Sequence, residues 1–325
     1  MSDGPRKPSV LVTGATGYLG EIVMRTLARQ ADRFDAIVGV DIRRPTYADL
    51  KEDVTYRICD VRSTELRTVL RDFGITSVVH LASIVNPSAG MTREEQYTID
   101  VGGMENVLAG CLESGVTHLI VASSGAAYGY HADNPVPLRE DDALRGNPEF
   151  AYSDHKRIVE ELLARYRREH AELRQLVLRP GTILGEGTSN QITRLFEGRF
   201  LLGLRGTITP FVFIWDLDVA DCIVRGVLEA KTGIYNLAGD GTLTLREIAA
   251  ITGQRQIVLP VSAVRAGLRV LRAMRLTAYG PEQASFLQYR PVLSNEKLKA
   301  DFPFTPTKTS EEVFRYWFDH RQSVE

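Results

Sequence analysis

Apolar residues in the first half of the chain fall into short β-branched runs separated by stretches of helical period. The runs at 9–13, 36–41, 54–59, 77–81, 118–123 and 173–179 predict strands. The stretches at 17–30, 63–73, 92–114 and 149–170 predict helices between them. Strands that alternate with helices return by crossovers, so a doubly wound parallel α/β sheet with helices on both faces is expected. After Pro180 the alternation breaks down. Residues 181–190 are rich in Gly, Thr and Ser and read as a loop, 192–204 are mixed, 208–214 read as a strand and 217–229 as a helix. Thr244-Leu245-Arg246-Glu247 has the form of a capping box, opening a helix that Gly253 ends; Ser310-Glu311-Glu312 opens a last helix. The break suggests a first domain at 1–181, with 208–238 returning to it, and a smaller mixed α/β lobe at 182–207 and 239–325. A cleft between them at the strand ends is the expected ligand site.

The first run leads straight into chemistry. Val10-Leu11-Val12-Thr13 enters Gly14-Ala15-Thr16-Gly17-Tyr18-Leu19-Gly20, and helical spacing resumes at Ile22, Val23 and Leu27. A pyrophosphate needs this order. Gly14 makes the sharp turn, Gly17 lets the main chain approach the phosphates, and Gly20 lets the helix pack closely on the strand. Thr16, Tyr18 and Leu19 belong to the same turn, where free N–H groups and the helix dipole favour an anion. The second run ends in Asp41, about 20 residues past the turn, where a carboxylate can hold both ribose hydroxyls; Ile42 and Arg43 sit beside it. Arg43 and Arg44 can meet a 2′-phosphate, but Asp41 repels one. NAD is therefore expected, with NADP the second choice.

Tyr152-Ser153-Asp154-His155-Lys156 lies on an expected helix, which puts Tyr152 and Lys156 on one face. A free phenol, with a pKa of about 10, is a poor acid–base group at neutral pH. A neighbouring ammonium stabilises the phenolate and brings it toward the working range. A tyrosine and a lysine at this spacing also occur by chance on solvated helix starts. What adds weight is Ser123-Ser124 at the end of an expected strand, on the side of the sheet that borders the ligand crevice. A serine hydroxyl there can hold a substrate oxygen while Tyr152 moves its proton, although serines also bond loop starts.

With these pieces in this order, the chain resembles the extended short-chain dehydrogenase/reductase superfamily. This is the branch of NAD-dependent epimerases, dehydratases and 3β-hydroxysteroid dehydrogenase-like enzymes. The motifs that carry the resemblance are Thr13-Gly14-x-x-Gly17-x-x-Gly20, Asp41, Asp60-Val61 and His80-Leu81-Ala82-Ser83. They continue with Ser123-Ser124 and Tyr128-Gly129, Tyr152-x-x-x-Lys156, and Leu178-Arg179-Pro180-Gly181. The resemblance implies a Rossmann sheet, contacts from Asp60 and Val61 to adenine, and a cofactor path lined by Leu81, Ala82 and Ser83. It places Pro180 to Ile183 beside the nicotinamide. It also implies catalysis by Ser124, Tyr152 and Lys156, with Lys156 reaching the ribose, and Ser123 the weaker candidate.

The departures narrow the chemistry. The family's Asn-Val-x-Gly appears as Asp100-Val101-Gly102-Gly103, so an aspartate stands where an asparagine helps to organise the lysine. The acidic pair that sugar dehydratases carry after the serine/threonine is absent from Gly125-Ala126-Ala127, which argues against dehydration. Nucleotide-sugar enzymes grip a diphosphate with an asparagine and an arginine. Here Thr182 and Phe211 stand at those places, and Trp215 replaces a histidine. A diphosphate needs charge-assisted donors. These aromatic residues offer apolar area, or are simply core.

Residues 261–279 carry Arg265, Arg269, Arg272 and Arg275 at helical spacing beside Val264, Leu268 and Leu271. Such a helix can lie on a membrane, clamp an anionic substrate or cover a cleft; more commonly it is a surface helix with a solvated charged face. Over the whole chain, 39 Lys and Arg face 41 Asp and Glu, a net charge of −2, which gives no global case for nucleic acid or for an anionic membrane. Cys59, Cys111 and Cys222 are far apart in apolar contexts and read as buried reduced thiols. No histidine has ligand spacing, so no metal is expected. No apolar run reaches spanning length, nothing at the start resembles a signal peptide, and a cytoplasmic protein is expected. Met104, Val107, Leu108, Ile158, Leu162 and Tyr166 recur along the two long helices, which suggests a homodimer through that pair.

The expected function is NAD-dependent hydride transfer to or from a secondary alcohol or ketone carbon of a small organic substrate. A nucleotide-sugar 4-epimerase with retained NAD is the alternative. A non-catalytic cofactor-sensing protein is the third reading, and the intact Ser124, Tyr152 and Lys156 argue against it.

Overall fold

The computed structural model describes residues 7–45, 53–88, 90–207, 210–274, 280 and 283–321. The first part runs β1 (Ser9–Thr13), α1 (Tyr18–Ala28), β2 (Ala36–Asp41), β3 (Val54–Ile58), α2 (Glu65–Asp72), β4 (Ser77–His80), α3 (Arg93–Tyr97), α4 (Gly103–Ser114), β5 (His118–Ala122), α5 (Ala151–Glu169) and β6 (Arg174–Pro180). The second part runs β7 (Thr182–Leu184), α6 (Arg194–Glu197), β8 (Phe200–Leu204), β9 (Phe213–Trp215), α7 (Asp216–Leu228), β10 (Gly233–Leu237), α8 (Leu245–Thr252), β11 (Arg255–Leu259), α9 (Val261–Ala273), α10 (Gln283–Gln288), α11 (Glu296–Asp301) and α12 (Ser310–His320).

Seven strands form one parallel sheet in the order β3-β2-β1-β4-β5-β6-β10. The chain reverses its direction of travel across the sheet between β1 and β4, and a crevice opens there at the carboxyl ends. Thr13 is in register with His80, so the glycine turn after β1 and residues 81–83 after β4 emerge side by side. Thr13 Oγ1 lies 2.8 Å from His80 Nδ1. Burial pushes His80 down to about 3, so the ring is a neutral core group.

Each face of the sheet has its own apolar layer. Val23, Met24 and Leu27 of α1 meet Ile223, Val224 and Val227 of α7 on one face. Leu66, Met104, Val107 and Leu163, from α2, α4 and α5, cover the other. Met104, Val107, Leu108 and Leu162 are buried there, and Ile158 and Tyr166 pack against the same cluster. Of the six positions that suggested a dimer, four are thus covered within the subunit, and Ile158 and Tyr166 are covered in part. The C-terminal lobe has a separate aromatic core of Phe196, Phe211, Phe213, Phe314 and Trp317.

Several expectations from the sequence change. The 92–114 helix is interrupted by a π-helical turn, Thr98–Gly102, which carries Asp100 inward. The expected loop at 181–190 contains β7, paired with β9. The expected 208–214 strand shortens to Phe213–Trp215, because Phe211 makes only an isolated bridge to Leu243; Ile208 lies outside the described residues. Helix α9 ends at Ala273, and Arg275 lies outside the described residues.

Candidate active site

The glycine turn is built so that a backbone can pass closely. Gly14 has φ +69°, and a Cβ there would stand 2.7 Å from the Ala82 nitrogen; a Cβ on Gly20 would stand 2.0 Å from the Gly14 carbonyl oxygen. Thr16 Oγ1 is buried beside the turn without a hydrogen-bond partner among the described residues. Asp41, at the end of β2, accepts hydrogen bonds from Thr16 N (3.1 Å) and Arg43 N (3.2 Å), which ties its carboxylate to the turn. Arg43 Nη2 reaches back to the Thr16 carbonyl at 3.3 Å. Ile42 is exposed.

Asp60 is engaged by Arg62, whose guanidinium lies 2.6 Å away and holds the carboxyl below its usual range. Val61 is buried under α4, where a Cβ on Gly103 would stand 2.8 Å from Val61 Cγ2. The Asp60 side chain stays partly exposed beside this ion pair.

Helix α5 starts beside the end of β5 and brings Tyr152 and Lys156 to the carboxyl edge of the sheet. Lys156 Nζ donates to the Ala122 carbonyl at 2.9 Å and lies 5.7 Å from the Tyr152 ring centroid. Ser124 lines the same pocket as Tyr152, and its Oγ accepts from Ala126 N at 3.1 Å. Burial pushes the Tyr152 phenol up to about 12, and the Ser124 hydroxyl opposes this. Burial also pulls Lys156 down, while the carboxylates of Asp100 and Glu160 oppose it. Ser123 points elsewhere: its Oγ donates to Glu160 Oε1 at 2.5 Å, and Glu160 is paired with buried Arg179 at 2.6 Å. Of the two serines, Ser124 alone acts on the tyrosine.

Asp100 is the family departure with the most partners. Its Oδ1 accepts from Ser83 Oγ (3.0 Å) and Ile84 N (2.8 Å), and its Oδ2 lies 2.9 Å from His155 Nδ1. Both side chains are buried, and His155 Nε2 has no hydrogen-bond partner among the described residues. A buried carboxylate–imidazole pair thus stands behind Lys156, on the neighbouring residue of the same helix.

Gly14, Gly17, Tyr18, Leu19, Gly20, Leu81, Ser83, Ser124, Tyr152, Lys156, Pro180 and Ile183 line one pocket of about 530 Å³. Thr16, Asp41, Ile42, Arg43, Asp60, Val61 and Ala82 lie outside its walls. The far wall holds groups that no motif pointed to. Tyr130 and Phe150 line it and pack with Phe286 behind them, centroids 4.6–5.9 Å apart. Arg290 lines the same pocket, its guanidinium 4.4 Å from the Phe211 ring centroid. Its Nε is buried without a hydrogen-bond partner among the described residues, and burial pulls its pKa down to about 10. The positive charge missing at position 211 thus arrives from another segment. Tyr18 also reaches across: its hydroxyl donates to Asp216 Oδ2 at 2.6 Å and lies 2.6 Å from Thr188 Oγ1. In sequence, Arg290 is one arginine between a tyrosine and a proline, with no periodic or glycine signal to mark it.

A parallel sheet with its crevice at the strand reversal, a glycine turn on β1 and a Ser–Tyr–Lys group on β5 and α5 define an enzyme of the extended short-chain dehydrogenase/reductase type. The model of the NAD dependent epimerase/dehydratase family matches residues 10–238, and the chain belongs to that family. Among curated relatives, uncharacterized protein Rv0501 of Mycobacterium tuberculosis is 24% identical, over 98% of this chain and 86% of its own. Mouse short-chain dehydrogenase/reductase family 42E member 1 is 27% identical, over 71% of this chain and 62% of its own. Among solved structures, the UDP-glucose 4-epimerase of Thermus thermophilus in complex with NAD superposes with a TM-score of 0.71. It is 23% identical, over 98% of this chain and 100% of that one.

Proposed function

We propose that this chain transfers a hydride between NAD and a secondary carbinol or carbonyl carbon of an organic anion. The observation that carries the reading is the guanidinium of Arg290, its buried Nε unpaired, in the same pocket as Ser124, Tyr152 and Lys156. The glycine cradle and the orphan Thr16 hydroxyl fit a dinucleotide diphosphate, and Asp41 suits an unphosphorylated adenosine ribose. When bound, NAD supplies the hydride acceptor or donor. Ser124 holds the substrate oxygen. Tyr152 Oη takes its proton during oxidation and returns it during reduction. Lys156 favours the phenolate and faces the ribose. On this reading, residues 1–181 with 208–238 hold the cofactor, and 182–207 with 239–325 shape the substrate end.

Arg290 explains why the substrate is an anion. A guanidinium taken out of water is costly until an anion meets it, and a phosphate or carboxylate supplies charge-assisted hydrogen bonds. Arg290→Leu should raise KM for phosphorylated or carboxylated alcohols about 10- to 100-fold, the size of a lost charge-assisted bond, and leave neutral secondary alcohols unchanged. An equal effect on both classes would overturn the anion role.

The same residue favours a second reading, a nucleotide-sugar 4-epimerase, in which one tyrosine takes and returns the proton and NAD stays bound. UDP-sugar enzymes among the solved relatives add support. NAD assayed after denaturing the purified protein separates the two. Stoichiometric NAD with no net redox turnover favours the epimerase; NAD-free protein that consumes added NAD favours the dehydrogenase.

A further inference from the structure

The C-terminal lobe carries a surface that the chemistry above does not use. Strands β8 and β11 form a two-stranded parallel ribbon, separate from the main sheet. Paired residues in such a ribbon point to the same side, so Leu202 shares a face with Ile257, and Phe200 and Leu259 lie on that face two residues away. Phe200, Leu202, Ile257 and Leu259 are each 38–45% exposed. Helix α9 follows β11 directly. It buries Val264 and half-buries Leu268, yet leaves Val270, Leu271 and Met274 of the same segment 42–62% exposed. The usual surface helix hides its apolar stripe and solvates the charged one. Here the apolar arc is wider than the buried stripe, running from Val264 past Leu271 and Met274 to Val270, and Arg265, Arg269 and Arg272 flank its other edge.

The charge of this region is one-sided. Residues 198–207 and 253–274 contain Arg199, Arg205, Arg255, Arg265, Arg269 and Arg272, and no aspartate or glutamate. Eight of the 15 large apolar side chains exposed among the described residues fall in these two segments. The nearest carboxylates along the chain are Glu197 and Glu247, and Glu247 is held in the Thr244 capping box. An apolar surface rimmed by arginines inside a chain of net charge −2 has a specific partner chemistry. A second copy would set arginine against arginine, with no carboxylate in the patch to answer it. An anionic lipid surface answers both features, with headgroups for exposed guanidinium groups such as that of Arg269 and acyl chains for the exposed apolar residues.

We propose that the β8–β11 ribbon and α9 form a peripheral docking face for an anionic lipid membrane. No described helix is long and apolar enough to cross one, so the association is interfacial. The test is co-sedimentation of the full chain with vesicles of phosphatidylcholine alone and with about a third phosphatidylserine. Sedimentation is expected with the anionic vesicles only, weakening as salt screens the surface. Arg269→Glu and Val270→Glu should each weaken binding about tenfold or more, the first because each basic residue near such a surface counts for several-fold. Unchanged melting and NAD binding would show that both variants are folded. Three results would each overturn the proposal: no sedimentation with either vesicle at low salt; equal sedimentation of the variants and the parent protein; or a lipid-free dimer that Val270→Glu dissolves, which would assign the face to a second copy.

Discussion

On the proposed reading, Tyr152 takes the proton of the carbinol that loses the hydride, and its surroundings set the direction of its pH dependence. With burial holding the phenol up to about 12, only a small fraction is phenolate near neutrality. Oxidation needs the phenolate, so its rate should rise with pH from neutrality upward, by up to about tenfold per unit while the group stays mostly protonated. Reduction needs the phenol and should be nearly flat over the same range. Tyr152→Phe should lower turnover about 10²–10⁴-fold and leave NAD binding intact in a fluorescence titration. A second residue tunes this one. Asp100 raises the pKa of both Tyr152 and Lys156 through its charge. Asp100→Asn keeps the shape and removes that charge, so the rise of the oxidation rate should move to lower pH, by about one unit at most. A lower melting temperature with an unmoved profile would leave Asp100 a purely structural role.

At the scale of elements, the glycine turn and α1 act as one piece. The close approach of Gly20 to the Gly14 carbonyl lets the helix start directly above the turn. Gly20→Ala would place a methyl group 2.0 Å from that oxygen, and backbone, unlike a flexible side chain, cannot swing aside. NAD affinity should fall at least about tenfold, with the loss read by titration, because the N–H groups that meet the phosphates shift with the turn. Helix ends set by local hydrogen bonds were legible in sequence: the Thr244–Glu247 capping box is formed. The last helix begins as expected at Ser310, with Thr309 as its cap. The π-helical turn at Thr98–Gly102 was not legible, since residues of helical spacing on both sides mask one extra residue between them. Strand β9 was misread for a related reason. Phe211 and Phe213 alternate correctly, but Phe211 pairs only through a bridge to Leu243, a residue distant in sequence.

For the whole molecule, the Tyr18 hydroxyl ties the glycine turn to the start of α7 through Asp216 and to the 182–207 segment through Thr188. Tyr18 rises out of its usual range because burial and the Asp216 carboxylate both oppose its ionisation. Tyr18→Phe leaves that buried carboxylate short of a donor, at a cost of about 1–3 kcal/mol. The melting temperature should fall by a few degrees, about 2–4 °C per kcal/mol for chains of comparable size. Tyr18 was read from the sequence as part of the phosphate turn, and it does line the pocket. Its bond to a residue 198 positions away has no local signal.

The order of strands and helices, the glycine turn and the Tyr–Lys spacing are local patterns, repeated over one or two turns of helix or a single strand, so the sequence alone determined them. It determined the family for the same reason. The three-dimensional fold alone decided which serine acts on Tyr152, because Ser123 and Ser124 differ only in the face they present, and Glu160 claims the first. It alone placed Arg290 over Phe211 and Asp100 against His155, pairs separated by tens of residues. It also decided that the apolar stripes of α4 and α5 are mostly covered within the subunit while much of that of α9 is not. A hydrophobic pattern states that a face needs cover; only packing shows whether the chain itself provides it.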